Sequence, residues 1–154
     1  IEVMGRHTGY LALMSGIAGG VEAVLVPEID PDIEKMSRKL QEGYNRGKSH
    51  CIVLVAEGAG DVYKIAKMMG DKIGFQMRVT ILGHLQRGGS PSAFDRILGS
   101  RLGSEAVEQL LKKQIHHMVG LFGNKTQTIP LTEILAHQKK LEKSMYELAD
   151  ILAR

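Results

Sequence analysis

The chain has 154 residues, 44% hydrophobic and 24% charged, with a formal net charge of +3; this is the make-up of a soluble globular protein large enough for one domain with a sizeable core. Its Lys and Arg are dispersed, aromatics make up only 5% and tryptophan is absent, which argues against a nucleic-acid surface, where charge is concentrated and bases stack on rings. No apolar run reaches the ~18 residues of a membrane span and no secretory signal opens the chain, so no membrane role is expected.

Ile1–Met4 reads as a short strand. The chain starts inside this strand-like run without an initiator Met, and is therefore expected to be a fragment. Thr8 is the expected N-cap of a helix over Gly9–Gly20, apolar nearly all round and so expected to be buried. Glu22–Glu28 is a strand stopped by Pro27. Asp30-Pro31 reads as a helix start, a capping carboxylate and then Pro at the first helical position. Ile33, Met36, Leu40 and Tyr44 share one face of that helix, and Gly47 ends it.

His50–Ala56 is a continuous apolar run, as expected of a parallel strand covered on both faces. Within it lies Cys51, the only cysteine. It can form neither an internal disulfide nor a cysteine-rich zinc site; a buried, inert thiol in a reducing cytoplasm is expected. Asp61 caps the next helix, with Val62, Ile65, Ala66, Met69 and Ile73 as its stripe and Gly74 at its end. Met77–Leu82 is a fourth strand. Ser90-Pro91 opens a long helix to about Lys113, with Phe94, Ile97, Leu98, Leu102, Val107 and Leu110 inward. Gly99 and Gly103 are either a close-packing pair or tolerated surface glycines.

Beyond that helix, "HMVGLFGNKTQTIP" reads as a hairpin turning at Gly123-Asn124. Thr132 is the expected cap of a short helix, and Leu141, Met145, Leu148 and Leu152 stripe a last one. The alternation of strands and helices predicts one α/β domain over residues 1–154: a three-layer, Rossmann-like arrangement with a mostly parallel sheet, plus a C-terminal hairpin and helices.

Ligands of such sheets sit beyond the carboxyl ends of the strands. The first strand ends in Met4-Gly5-Arg6 and the third in Glu57-Gly58. The fourth carries Arg78 near its start and leads into His84-Leu85-Gln86-Arg87-Gly88-Gly89. Glycine beside each charged group permits close approach of backbone to a ligand, and Ser90-Pro91 supplies a helix N-terminus that favours an anion. Guanidinium groups match phosphate oxygens, whereas Glu57 suits hydroxyls. Together they point to a sugar phosphate, provided the sheet order gathers them. Singly, an Arg after a strand is a solvated loop residue and a His a structural group.

Arg46-Gly47-Lys48-Ser49-His50 and Gly19-Gly20-Val21-Glu22 lie at helix-to-strand junctions, on the opposite edge of the sheet. They frame either a second anion site or, more plainly, a helix C-terminus with cations favourable to its dipole.

"EVMGRHTGYLAL", "RGKSHCIVLVAEG" and "RVTILGHLQRGGSPSAFDRILGSRLG" resemble the carboxyl-terminal half of bacterial 6-phosphofructokinases. The match covers nearly the whole chain and is weakest after Lys112. The resemblance implies phosphoryl transfer from ATP, with Mg²⁺, to the 1-hydroxyl of fructose 6-phosphate in the cytoplasm. Met4, Gly5 and Arg6 match contacts to the sugar and the transferring phosphate, with Arg6 stabilising charge that develops there. Glu57 matches the carboxylate on the sugar hydroxyls. His84 and Arg87, with Leu85 and Gln86 between them, match the clamp on the 6-phosphate. Arg78 matches an arginine offered across a subunit interface, which implies a homo-oligomer, a tetramer in this family.

Gly20, Val21, Glu22, Arg46, Lys48, Ser49 and His50 match an effector site for a nucleoside diphosphate or phosphoenolpyruvate. Ser49 departs from the commonest pattern, a second lysine, which should weaken anion binding. The family's ATP loop and its aspartate base belong to the other half, which would also bind most of the ATP and Mg²⁺; no metal ligand is assigned in this chain. Without the base the sugar hydroxyl lacks a proton acceptor, so the chain alone is expected to be inactive. Two further readings are a pyrophosphate-dependent phosphofructokinase and a non-catalytic sugar-phosphate or nucleotide sensor.

Overall fold

Three strands, β1 (Glu2–Val3), β2 (Ala23–Leu25) and β3 (Val53–Ala56), form a parallel sheet in the order β1-β3-β2. They are seen in a computed structural model that describes residues 1–136 and 141–153. Register is set by Val3 opposite Ala56 and Val24 opposite Leu54. On the outer side of β1, the segment expected as a fourth strand makes a single parallel bridge, Glu2 with Ile81. Because β1 is two residues long and Gly83 turns the chain away (φ +49°), a longer ladder has nothing to pair with.

Alternation along the strands divides the core between the two faces. On one face Val3, Val24, Val26, Leu54 and Ala56 pack with Ala12 of helix α1 (Tyr10–Gly19) and with Tyr146 of α6 (Lys143–Leu152). On the other, Leu25 and Val55 pack with Leu40 of α2 (Ile33–Asn45) and with Val62, Ile65 and Met69 of α3 (Val62–Ile73). The result is the expected three layers. Gly16 lets α1 lie close to the sheet: a Cβ there would stand 2.5 Å from a Val24 methyl.

Local chemistry explains the helix ends, with several corrections. The N-cap of α1 is Gly9, not Thr8, and both carboxylate oxygens of Glu28 accept from the Gly9 N–H at 3.0 Å. Only Ala12, Leu13 and Gly16 of α1 are buried, while Tyr10, Leu11 and Met14 are exposed; a helix lying on a sheet covers one face only. Helix α2 is capped by Asp32 rather than Asp30, accepting from Lys35 N–H at 2.8 Å. Leu40 is buried as expected, but Tyr44 is exposed and its ring lies 4.5 Å from that of Phe75. Asp61 caps α3 through the N–H groups of Tyr63 and Lys64, and Gly74 ends it in the left-handed conformation.

Cys51 is exposed, contrary to the expectation of burial, because the ladder begins only at Val53. Its thiol is nonetheless pushed up from the ordinary value, by partial desolvation and then by the Glu22 carboxylate. Leu141, as expected, and Tyr146 of α6 pack on the core, and Ala153 just past the helix is buried, whereas Leu148 and Leu152 are exposed. The Tyr146 hydroxyl donates to the Val24 carbonyl at 3.2 Å, and Lys39 donates to the Asp150 carboxylate at 2.6 Å.

These elements belong to a compact unit formed by Ile1–Gly88 and the described part of Lys140–Arg154. The described part of Gly89–Lys139 forms a second unit. Its helix α4 (Ala93–Leu111) starts at Ser92 in a capping box with Asp95, two residues later than expected. No residue of α4 is buried, and Phe94, Ile97, Val107 and Leu110, expected inward, are exposed. Nothing lies within 4 Å of a Cβ built at Gly99 or Gly103, the surface-glycine alternative. The hairpin forms as expected from β4 (His117–Phe122) and β5 (Lys125–Pro130), Phe122 facing Lys125 across the turn. Thr132 lies inside α5 (Leu131–Ala136) and does not cap it.

Candidate functional site

Parallel pairing places the carboxyl ends of β1, β3 and the 80–82 segment on one edge of the sheet. Met4-Gly5-Arg6, Glu57-Gly58 and the 3-10 turn Gly83–Arg87 therefore meet there. The loops touch through backbone. The Gly58 N–H donates to the Gly5 carbonyl at 2.9 Å, and a Cβ on Gly58 would lie 2.7 Å from the Arg6 carbonyl carbon and closer still to its oxygen. Gly5 has φ +146°, where side chains other than glycine's are disfavoured, and a Cβ on it would meet the Thr8 carbonyl at 2.5 Å. The third loop is joined by the Met4 N–H, which donates to the Gln86 side-chain oxygen at 2.7 Å.

Arg6, Glu57, His84 and Arg87 are all exposed at this edge, and Leu85 is 81% exposed. Among the described residues no hydrogen bond or ion pair engages the side chains of Arg6, Glu57, His84 and Arg87. Two guanidinium groups and an imidazole at the same edge as one carboxylate can meet a phosphate and adjacent hydroxyls at once. The N-terminus of α1, behind the Met4–Arg6 loop, is already served by Glu28 and is not an open anion site. Arg78, at the far end of the extended segment, is exposed and is not gathered to this edge in its own chain. Ser90-Pro91 lies in the second unit.

The opposite edge collects the second set. Ala23 pairs with Val53, so Gly20-Val21-Glu22 and Arg46–His50 both lead into the same ends of β2 and β3. Glu22 is buried at 8% exposure and already engaged: it accepts from the Ile52 N–H at 2.6 Å and stands 3.5 Å from Lys48. Ser49 Oγ and His50 Nδ1 lie 3.3 Å apart, and Arg46 is exposed at the end of α2. A crevice of about 530 Å³ opens between α2 and α6, lined by Val24, Met36 and Tyr146 and reaching Val21 and Glu22 of this second set. Its two lysines, Lys35 and Lys39, are paired with Asp150, so it offers little free positive charge. No group of three or more His, Cys, Asp or Glu among the described residues is placed to hold a metal ion. No helix among them is long and apolar enough to cross a membrane.

Sequence reasoning missed one polar residue behind the first edge, Glu28, which follows Pro27 and reads as the end of a strand. Gln86 is expected in the clamp between His84 and Arg87, but its bond to the Met4 N–H had no signal in the sequence.

The fold and this edge define a class, α/β domains that present cationic loops beyond the strand ends of a parallel sheet. Residues 1–110 match the family model described as "Phosphofructokinase", and the chain belongs to that family. It is 50% identical over 99% of its length to an ATP-dependent 6-phosphofructokinase from Halothermothrix orenii, and 46% identical over 99% to one from Thermotoga neapolitana. It covers 50% and 48% of those proteins, so it spans about half the length of the curated relatives it matches. The crystal structure of Pichia pastoris phosphofructokinase in the T-state superposes with a TM-score of 0.76 at 38% identity, over 88% of this chain and 16% of that one. Pyrophosphate-dependent phosphofructokinase from Marinobacter aquaeolei superposes at 0.78 with 24% identity, over 99% of this chain and 46% of that one, a likeness of fold alone.

Proposed function

We propose that this chain is the sugar-phosphate-binding part of a 6-phosphofructokinase that transfers a phosphoryl group from ATP to the 1-hydroxyl of fructose 6-phosphate in cytoplasmic glycolysis. The observation that carries the reading is the meeting of Arg6, Glu57, His84 and Arg87 at one sheet edge with their side chains unengaged. His84 and Arg87 hold the 6-phosphate, Arg87 through paired N–H donors. Glu57 accepts from sugar hydroxyls. Met4 and Gly5 bring backbone against the substrate. Leu85 flanks the sugar, and Gln86 supports the clamp. Arg6 stabilises negative charge on the transferring phosphoryl group, an interaction that grows toward the transition state.

ATP and Mg²⁺ would supply the phosphoryl group and its charge neutralisation. The described residues hold no group of three or more His, Cys, Asp or Glu fit for the metal. Identity of 50% to an ATP-dependent relative favours ATP over pyrophosphate as donor. Arg78, free of its own chain's edge, is available to a neighbouring subunit's substrate in a homotetramer. Gly20, Val21, Glu22, Arg46, Lys48, Ser49 and His50 form the effector site for a nucleoside diphosphate or phosphoenolpyruvate; an anion there competes with Glu22 for Lys48.

Calorimetric titration of the chain separates this from the alternatives. Fructose 6-phosphate is expected to bind and fructose is not, and mixing with ATP and Mg²⁺ is expected to give no turnover because the chain lacks the general base. Equal binding of the two sugars would remove the phosphate clamp, and turnover near that of a complete kinase would remove the division of labour.

A further inference from the structure

We infer that Gln86 is a positioning residue: its side-chain oxygen takes the place of a missing rung of the sheet and locks the Gly83–Arg87 turn to the end of β1. In a parallel pair, alternate residues of a strand direct their N–H groups to the same neighbour. The Glu2 N–H donates to the Thr80 carbonyl at 2.8 Å, and the Leu82 N–H to the Glu2 carbonyl at 3.1 Å. The next rung would carry the Met4 N–H to the Leu82 carbonyl. Gly83 instead bends the chain into the 3-10 turn, and the Leu82 carbonyl accepts from the Leu85 N–H at 3.1 Å. The Met4 N–H loses its sheet acceptor and is taken by Gln86 Oε1 at 2.7 Å, across 82 residues of sequence. The donor is a backbone N–H, so the acceptor must be the amide oxygen.

The position of the bond gives it consequence. Met4 opens the loop that carries Arg6, and Gln86 lies between His84 and Arg87. A single hydrogen bond thus sets the distance between the groups proposed for the 6-phosphate and the one proposed for the transferring phosphoryl. Gln86 acts through its neighbours, with its oxygen spent on Met4. The effect on ligand affinity rests on the sugar-phosphate reading above; the lock does not.

The test uses the 154-residue chain and two readouts. Without ligand, amide exchange at Met4 is expected to be roughly fivefold to tenfold faster in Gln86→Leu, the cost of one hydrogen bond. It stays near wild type in Gln86→Glu, which keeps an acceptor of the same length. Unchanged exchange in Gln86→Leu overturns the lock. With fructose 6-phosphate as probe, Gln86→Leu is expected to weaken binding by a similar factor, and to add little when Arg87 and His84 are already alanine, because it acts only through them. Equal losses in both backgrounds would make Gln86 a direct ligand contact and overturn the positioning role. If Met4 exchange responds while no variant, nor the wild type, binds the sugar phosphate, the lock stands and the substrate reading falls.

Discussion

Replacing Gly58 with alanine should disable the candidate site more than its exposed position would indicate. Gly58 carries no left-handed backbone requirement, so its own torsions tolerate a side chain. The obstruction is the neighbouring loop. The added methyl would stand 2.7 Å from the Arg6 carbonyl carbon, nearer still to its oxygen, and 3.1 Å from the Gly5 carbonyl oxygen. All three are backbone atoms, which cannot swing aside as a side-chain tip can. Relief requires the 57–58 and 5–6 loops to part, breaking the 2.9 Å bond from Gly58 N–H to Gly5 carbonyl. Overpacking of this kind costs about 1–3 kcal/mol and the lost hydrogen bond about 1 more.

A loss of about 3 kcal/mol, at a urea slope of about 2 kcal/mol per M, lowers the unfolding midpoint by about 1.5 M. The measurement is direct because the chain has no tryptophan and four tyrosines. All four, Tyr10, Tyr44, Tyr63 and Tyr146, lie in the unit that holds the site, so tyrosine fluorescence follows that unit alone. Gly19→Ala, in α1 of the same unit, where a Cβ would meet only a Val21 methyl at 3.8 Å, is the control. A Gly58→Ala chain with the wild-type midpoint and wild-type affinity for fructose 6-phosphate would refute the close crossing of the two loops.

Two further outcomes follow from the electrostatics. The Asp150 carboxyl is held below its ordinary value, first by the hydrogen bond from Lys39 and then by the charges of Lys39 and Lys35. A group depressed in the folded state stabilises above its unfolded value of about 4 and loses that contribution as pH falls through the lower folded value. Hydrogen exchange of α6 should therefore accelerate as pH drops below about 4, after correction for the intrinsic rate, and Asp150→Asn should abolish the dependence. The cost of that substitution is at most about 1 kcal/mol, because the pair is partly solvated. For Cys51, the raised thiol value means that an exposed sulfur reacts with a disulfide reagent near pH 7 more slowly than free cysteine does, with the gap closing only in alkali, once both thiols are ionised. Reaction as fast as free cysteine would contradict this.

The parts of the fold legible in the sequence are those fixed by local chemistry. Asp61 and Gly74 bracket α3 because a capping carboxylate and a left-handed glycine act within one turn. Gly123-Asn124 marks the hairpin for the same reason. Burial is a property of what lies opposite, and there periodicity misleads. Helix α4 has an apolar stripe but no buried residue, and α6 turns Tyr146 inward where Leu148 was expected. Cys51 belongs to an apolar run, yet the ladder starts two residues after it. The Arg6, Glu57, His84 and Arg87 positions could be named from the strand-end rule and from the family resemblance. Their meeting depended on the parallel order β1-β3-β2 and on the bridge at Ile81. The role of Gln86 was invisible, since nothing in the local sequence says that the ladder stops at Leu82.

The most direct test of the central claim is a crystal structure of the chain with fructose 6-phosphate. The account predicts the 6-phosphate within hydrogen-bond distance of both His84 and Arg87, with a sugar hydroxyl on Glu57 and Arg6 facing the 1-position. A phosphate seated instead at Arg46–His50, or a sugar that touches none of these four side chains, would contradict it.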